Sequence, residues 1–553
     1  MENNYKQFIR FNFYFGLALM LACLPFSKFM VSVGQWWLTG AWVLGRLDIQ
    51  KIRNIYRENA RCRFYLIIVP CFFMLLFEGI GRGFREFFKN KPAMIFASIF
   101  LIHLIGLIFT VDFQYAFKDL RTKIPLFILP IFLSTTETIT RKTFYRFMLL
   151  FIVSLFIVTL FNAWKVIDHD YIDIRDISRH VGNIVFGLLI SLSIFASGYL
   201  IIKKGTCPGI IKILLSVILV WSVIYLVITQ SMTGLSISIL TILFLIPVLI
   251  FRKKNIWLKV SLTLLILIIT GSVVFYLQKV VRDFYRADPV DYQRLEKLTS
   301  RGNPYKHDPT LKQTENGHYL WLYLQSEELR ESWNMRSKIP FDSNDLKGQP
   351  IKFTIVRFLT SKNERKDADA VQRLSAEEIH AIERGVANEL YIKKFSIRGR
   401  IYEFLMGYDN YIQTGNPTGS TVMQRLEFWK ASLGLIKDNW LHGVGTGDMN
   451  IAFQQQYEKM NSKLSPDQRW RSHNQYMSIW IGFGIFGLIW FLFAVLYPPI
   501  ATRRFDDYFF LVWFIITMIA MLTDDTIESQ MGVTFFSFFY CFFLFARKEK
   551  DPV

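Results

Sequence analysis

Apolar runs of about 17 to 22 residues recur along this chain on both sides of a polar middle section, and a helix of that length crosses the ~30 Å hydrocarbon core of a bilayer. Soluble helices do not stay apolar for so long. The runs fall near Phe8 to Leu24, Phe29 to Gly45, Pro92 to Phe109, Ile124 to Leu133, Tyr145 to Trp164 and Val181 to Ile202. Others lie near Ile210 to Ile228, Thr233 to Phe251, Trp257 to Leu277, Gln475 to Leu496, Tyr508 to Leu522 and Gly532 to Phe545. On the length rule they predict an all-α polytopic membrane protein of about twelve transmembrane helices. Hydrophobic residues make up 52% of the 553, as expected of a chain lying mostly in lipid. No small-residue cleavage site follows the first run, which therefore reads as a retained helix.

The net charge of +20 raises the question of nucleic acid. Its distribution answers it, because the cations sit in short clusters flanking apolar runs, as membrane orientation requires, and no nucleic-acid partner is expected. Arg141-Lys142 with Arg146, Lys203-Lys204, Arg252-Lys253-Lys254, Arg503-Arg504 and Arg547-Lys548-Glu549-Lys550 are the candidate cytoplasmic clusters. The apolar stretch Phe64 to Ile80 would, as a further crossing, place the six cations of Arg46 to Arg63 on the wrong side, so it reads as interfacial or re-entrant. Counting back from the carboxyl-terminal half puts residues 279–474 on the periplasmic side. The predicted divisions are a transmembrane bundle over 1–278, a periplasmic insertion over 279–474, further membrane helices over 475–546 and a cytoplasmic tail over 547–553.

None of the five cysteines, at 23, 62, 71, 207 and 541, falls in the insertion, so no disulfide is expected there. Its composition predicts a mixed α/β module, with β-like runs at Gly317 to Gln325 and Ile351 to Thr360 and a helical period from about Asp367 to Gly407. Ser375-Ala376-Glu377-Glu378 has the pattern of a capping box. A further helix is expected from Val422 to about Lys437, after the turn residues 415–420.

Chemistry concentrates next. Arg425-Leu426-Glu427-Phe428-Trp429-Lys430 leads to Trp440-Leu441-His442-Gly443-Val444-Gly445-Thr446-Gly447, then to Ser472-His473-Asn474-Gln475 and Gly482-Phe483-Gly484-Ile485-Phe486-Gly487. This order resembles the O-antigen ligase and repeat-unit polymerase superfamily, in which an Arg-headed helix, a G-x-G-x-G segment and His-Asn precede an apolar helix. The likeness extends loosely to Gly106-Leu107-Ile108-Phe109-Thr110 and Asp119-Leu120-Arg121-Thr122-Lys123. It implies a C-type glycosyltransferase fold in a bacterial inner membrane. The implied reaction moves a glycan from undecaprenyl diphosphate to an acceptor hydroxyl, such as lipid A core, at the periplasmic face.

The physical demands of such a reaction can be stated separately. A departing diphosphate needs cations, and the planar guanidinium pairs bidentately with phosphate oxygens. An attacking hydroxyl needs a proton acceptor, for which imidazole has a suitable pKa. His473 and Arg425 are the candidate catalytic pair, with Arg425, Arg471 and Arg121 as candidate diphosphate ligands. Asp524, Asp525, Glu528 and Asn474 are candidate acceptor-binding or supporting residues. No His, Cys and carboxylate spacing suggests a metal centre, so neither metal nor cofactor is expected. Each choice has a plainer reading: an arginine opening a helix is commonly a solvated charge, and Arg469 to Arg471 can snorkel at the membrane surface.

The glycines 443, 445 and 447 lack the Lys-Ser/Thr of a phosphate loop and read as a tight turn. Ser231-Met232-Thr233-Gly234 departs from the superfamily pattern, which often carries an arginine beside that glycine. The same resemblance admits a repeat-unit polymerase or a protein O-oligosaccharyltransferase. A lipid-linked sugar transporter is the reading from another class, but paired half-chain repeats are not found.

Overall fold

The computed structural model describes residues 2–58, 64–168, 182–229, 231–252, 256–392 and 396–551. Cys62, Arg61, Arg63, Val181, Lys253 and Lys254, which figured in the expectations above, lie outside them. Two compact units are present, one formed by residues 1–254 with 425–553, the other by residues 255–424. Residues 425–474 therefore cluster with the apolar bundle.

The first unit begins with α1 (Glu2–Cys23), α2 (Lys28–Gly45), α3 (Ile49–Glu58), α4 (Phe64–Lys89), α5 (Lys91–Ile105), α6 (Phe113–Thr135), α7 (Arg141–Asp168), α8 (Asn183–Ile202), α9 (Gly209–Ile228) and α10 (Met232–Arg252). The second unit contains α11 (Ile256–Tyr285), the hairpin β1 (Thr314–Glu315) and β2 (His318–Tyr319), α12 (Ser326–Arg336), α13 (Ile351–Ser361), α14 (Ala368–Arg373), α15 (Ala376–Glu383) and α16 (Ile397–Thr414). The chain then returns through α17 (Thr421–Asp438), α18 (Met449–Lys459), α19 (Gln475–Ala501), α20 (Tyr508–Ala520) and α21 (Gln530–Leu544).

Among the described residues six helices are long and apolar enough to cross a membrane, and they lie in α5 with its following turn, α7, α8, α9, α11 and α19. Shorter apolar helices occupy Thr233–Val248, Tyr508–Ala520 and Gln530–Leu544. The remaining expected spans are helical too, in α1, α2 and α6. None of the apolar window of α11 is buried by protein, as suits a helix surrounded by lipid. At the other extreme, every residue of α21 from Met531 to Leu544 is buried. A helix that is apolar all round belongs at the centre of a bundle, and Tyr540 stacks on Phe96 there with ring centroids 3.8 Å apart. The stretch Phe64 to Ile80 is the first part of α4, whose later turns press Gly79 and Gly83 against Arg46 and Trp42. Gly187 and Gly234 bring α8 and α10 into close approach at the Ser231 turn.

The expected β module needs correcting. Residues 351–361 form helix α13, because Ile351, Ile355, Phe358 and Leu359 recur at the helical period and are all fully buried. Their β-branched composition imitates a strand while their spacing does not. The other run shrinks to the two residues of β2. The capping box is present, with Ser375 Oγ accepting from the Glu378 amide at 3.2 Å and Glu378 Oε2 accepting from the Ser375 amide at 2.8 Å.

Basic residues gather at one end of the first unit. Arg46 pairs with Glu86, Arg10 with Glu137 and Arg141 with Glu549. The carboxyl-terminal segment closes that end: Ile139 N donates to Ala546 O and Tyr508 N to Asp551 O, each at 2.7 Å. Arg547, fully buried, bonds Asp507 at 2.5 Å and Asp551 at 2.6 Å and lies 3.8 Å from the Phe144 ring centroid. Breaking such a buried pair is costly because the remaining charge loses its partner. Arg547→Met should lower stability by about 3–5 kcal/mol, read as the denaturation midpoint in detergent. Lys548→Met, at an exposed neighbour, should leave that midpoint unchanged.

Candidate functional site

The glycine segment is built around a broken membrane helix. Within α19, Gly484 has φ 66° and ψ −172°, and a Cβ there would meet Leu441 O at 2.0 Å. The break frees backbone groups, and the loop after α17 takes them up: Val444 N donates to Ile481 O at 2.8 Å, Gly445 N to Gly482 O at 2.9 Å, and Ile485 N to Trp440 O at 2.9 Å. Freed backbone groups in a bundle need such partners. Gly443, at φ 75°, is required by the same approach, since a Cβ would lie 2.4 Å from the Gly482 carbonyl carbon. With two of its amides spent on α19, the segment is a packing turn.

The loosely matching segment 106–110 completes this junction. Thr446 Oγ1 donates to His103 O at 2.6 Å and Gly447 N to Thr110 Oγ1 at 3.2 Å. Asp448 accepts from the amides of Val111 at 2.9 Å and Asp112 at 2.8 Å.

His473 stands just before α19, in the left-handed region at φ 46°. For a residue other than glycine this conformation is strained by roughly 1–3 kcal/mol and has to be imposed by its surroundings. Asp525 imposes it. The carboxylate accepts four hydrogen bonds, from the amides of His473 (3.2 Å) and Asn474 (2.9 Å) and the hydroxyls of Ser472 (3.0 Å) and Ser478 (2.9 Å). Burial pushes the Asp525 pKa up, with Glu528 adding to the rise, while His473 and Ser478 oppose it. Asn474 caps α19 by accepting from Met477 N at 3.1 Å, and its amide nitrogen donates to Leu522 O at 3.0 Å.

The imidazole lies against Phe428 of α17, ring centroids 5.5 Å apart, and against Trp470 at 6.4 Å. Its Nδ1 is buried without a hydrogen bond among the described residues, and an Asp524 carboxylate oxygen lies 3.9 Å away. Arg425 lies three residues before Phe428, one turn along the same helix face. It is half-buried and makes no hydrogen bond or ion pair among the described residues.

Glu528 anchors a neighbouring cluster. Lys123, fully buried, donates to Glu528 at 2.9 Å and to Asp119 at 3.2 Å. Arg471 reaches Glu528 at 3.4 Å and Asn450 at 2.9 Å, bonds the Tyr115 hydroxyl, and covers that ring at 5.0 Å. Gln475 Nε2 donates to the other Glu528 oxygen at 3.1 Å. Burial pushes the Glu528 pKa up, but Lys123 and Arg471 outweigh it and hold the carboxyl down to about 2.

The structure thus gathers His473, Asn474, Asp524 and Asp525 around one turn, sets Arg425 nearby through Phe428, and ties Arg471 to Glu528. Arg121 is not brought in. It is exposed on α6 and has no partner among the described residues, whereas Asp119 and Lys123 face inward. Residues four apart share a helix face and residues two apart do not, so the helical period of 119–123 already carried the signal that selects Lys123.

A family model described as O-Antigen ligase matches residues 379–492. The matched stretch takes in Arg425, the glycine segment, His473 and the broken part of α19, and it supports the likeness to the O-antigen ligase superfamily. Proteins of that family are membrane glycosyltransferase-like enzymes. No curated protein matches the chain.

Glu528 ionisation stabilises the fold fully above its ordinary pKa of 4.5, and that contribution is lost as pH falls through about 2. Glu528→Gln should therefore cost about 3–5 kcal/mol at neutral pH, by an amount constant between pH 5 and 8. Unfolding curves of the two proteins in detergent measure this, and equal midpoints at pH 7 would remove the cluster from the stability account.

Proposed function

We propose that this protein is an O-antigen ligase-like glycosyltransferase that moves a glycan from undecaprenyl diphosphate to an acceptor hydroxyl, lipid A core, at the periplasmic face of the inner membrane. The observation that carries the reading is the half-buried Arg425, unneutralised among the described residues, one helical turn from the ring that packs on a conformationally imposed His473. A cation held without a carboxylate is suited to an anionic ligand.

In this mechanism the acceptor oxygen attacks the anomeric carbon as the bond from that carbon to the diphosphate oxygen breaks. The bonding electrons leave with undecaprenyl diphosphate, where Arg425 stabilises the charge. The acceptor proton passes to the His473 imidazole. Asp525 positions His473 through its backbone and Asp524 lies beside Nδ1. Arg471, engaged by Glu528, Asn450 and Tyr115, is assigned to holding the site rather than to the donor. The reaction as written calls on no metal or cofactor. The gathering of cations at the end of the first unit opposite His473 supports a periplasmic site, since positive loops stay in the cytoplasm.

Purified protein supplied with lipid-diphosphate oligosaccharide tests the reading, with lipid A core, a second repeat unit and a Ser/Thr peptide offered in turn. Transfer to core is expected, while elongation or peptide glycosylation would assign the polymerase or the protein oligosaccharyltransferase instead. Arg425→Ala and His473→Ala should each reduce transfer by at least about a hundredfold with normal membrane insertion. Full activity in both variants would overturn the assignment.

A further inference from the structure

The second unit carries an aromatic surface on the hairpin that the transfer mechanism leaves unused. Thr314 pairs with Tyr319 and Glu315 with His318, and side chains alternate across such a ladder. Glu315 points inward, buried, held by Arg357 at 2.9 Å and Asn388 at 2.8 Å. In the turn that follows, Leu320 and Leu322 are buried as well, whereas Tyr319 and Trp321 are half-exposed. The inner ion pair thereby fixes which face Tyr319 occupies in the ladder, because a slip of one residue would bury it and expose Glu315.

The outer groups are mutually organised. Lys312 Nζ lies 5.4 Å from the Tyr292 ring centroid and 5.9 Å from that of Tyr319, drawing two aromatic faces around one ammonium. Trp321 Nε1 donates to Gln313 Oε1 at 2.8 Å, which sets the plane of the indole. Tyr292 remains 41% exposed, whereas Trp333, a true core aromatic of the same unit, is fully buried.

We propose that this face, Tyr319 and Trp321 with Lys312 and Tyr292, binds sugar rings of a glycan chain. A pyranose presents one face of polarised C–H bonds, which meet the negative face of an aromatic ring, and a rim of hydroxyls, which meet the ammonium, phenol and amide groups. Tyrosine and tryptophan supply this area at low entropic cost because few torsions must be frozen. Tyr319 ends the strand and Trp321 lies in the turn that follows, with only the buried Leu320 between them, so both rings belong to one outer surface. That the bound chain is the donor's glycan rests on the transferase reading; sugar binding itself does not.

The test uses the full-length protein in lipid nanodiscs and the cell's own surface polysaccharide, freed from lipid by mild acid, labelled, and followed by fluorescence anisotropy. Wild-type protein should bind it, and the Tyr319→Ala/Trp321→Ala double variant should bind at least about tenfold more weakly. Tyr292→Ala, at an exposed position outside the hairpin, should weaken binding severalfold without altering the unfolding midpoint. His473→Ala should bind like wild type while losing transfer. Binding no greater than to empty nanodiscs, or equal binding by the double and Tyr292 variants, would overturn the proposal. Wild-type protein that binds polysaccharide but transfers to no acceptor would retain the platform and sink the transferase reading, whereas transfer without binding would do the reverse.

Discussion

A helix broken inside an apolar bundle exposes carbonyls that water cannot reach, and each must find a protein partner or the break cannot persist. At Gly484 the partners are the amides of Val444 and Gly445, with Trp440 O returning a bond to Ile485 N. This exchange locks the loop after α17 to the first part of α19. That lock sets where α17 ends and α19 begins, and the two elements deliver Phe428 and His473 to each other. The glycines of the loop therefore act through what they allow the backbone to approach, and the 106–112 turn joins them by the same means.

Two buried charge clusters then divide the labour between the ends of the first unit. At the cationic end Arg547 sits between Asp507 and Asp551, and the backbone of Asp551 is bonded into the bundle through Tyr508. At the other end Glu528 sits between Lys123 and Arg471, one cation from α6 and one from the segment before α19. Both clusters join segments remote in sequence. Their charges are largely answered within the protein, so they hold geometry rather than seek ligands.

Much of the helical framework was legible from period and run length, including α17, the start of α19 and the capping box at Ser375. Where composition and period disagreed, period was the better guide: at 351–361 the β-branched residues suggested a strand, while the spacing of Ile351, Ile355, Phe358 and Leu359 was helical. The same lesson separates Lys123 from Arg121. Other features had no local signature. Nothing in Ser472-His473-Asn474 announces a left-handed histidine, because the carboxylate that imposes it lies some fifty residues later in Asp525. Nor could sequence reveal that Arg471 is engaged by Glu528 and Tyr115, since pairing across such separations is decided by tertiary packing.

This contrast gives Arg425 its meaning. A half-buried guanidinium with no carboxylate partner among the described residues forfeits hydration without a compensating ion pair there, an arrangement unfavourable for folding taken alone. Sequences tolerate such local conflicts mainly where function requires them. His473 is a second conflict of this kind, held in a strained backbone conformation with Nδ1 buried and lacking a hydrogen bond among the described residues. On the proposed transferase reading both conflicts resolve in one event: a sugar diphosphate would bring an anion to Arg425, and an acceptor hydroxyl would bring a proton to the imidazole. The neighbouring carboxylates do not remove that opening, because Asp525 is occupied by four donors and Glu528 by two cations and an amide. Among the described residues, then, satisfied charges hold the turn at His473 in place and Arg425 is the cation beside it that they leave unpaired.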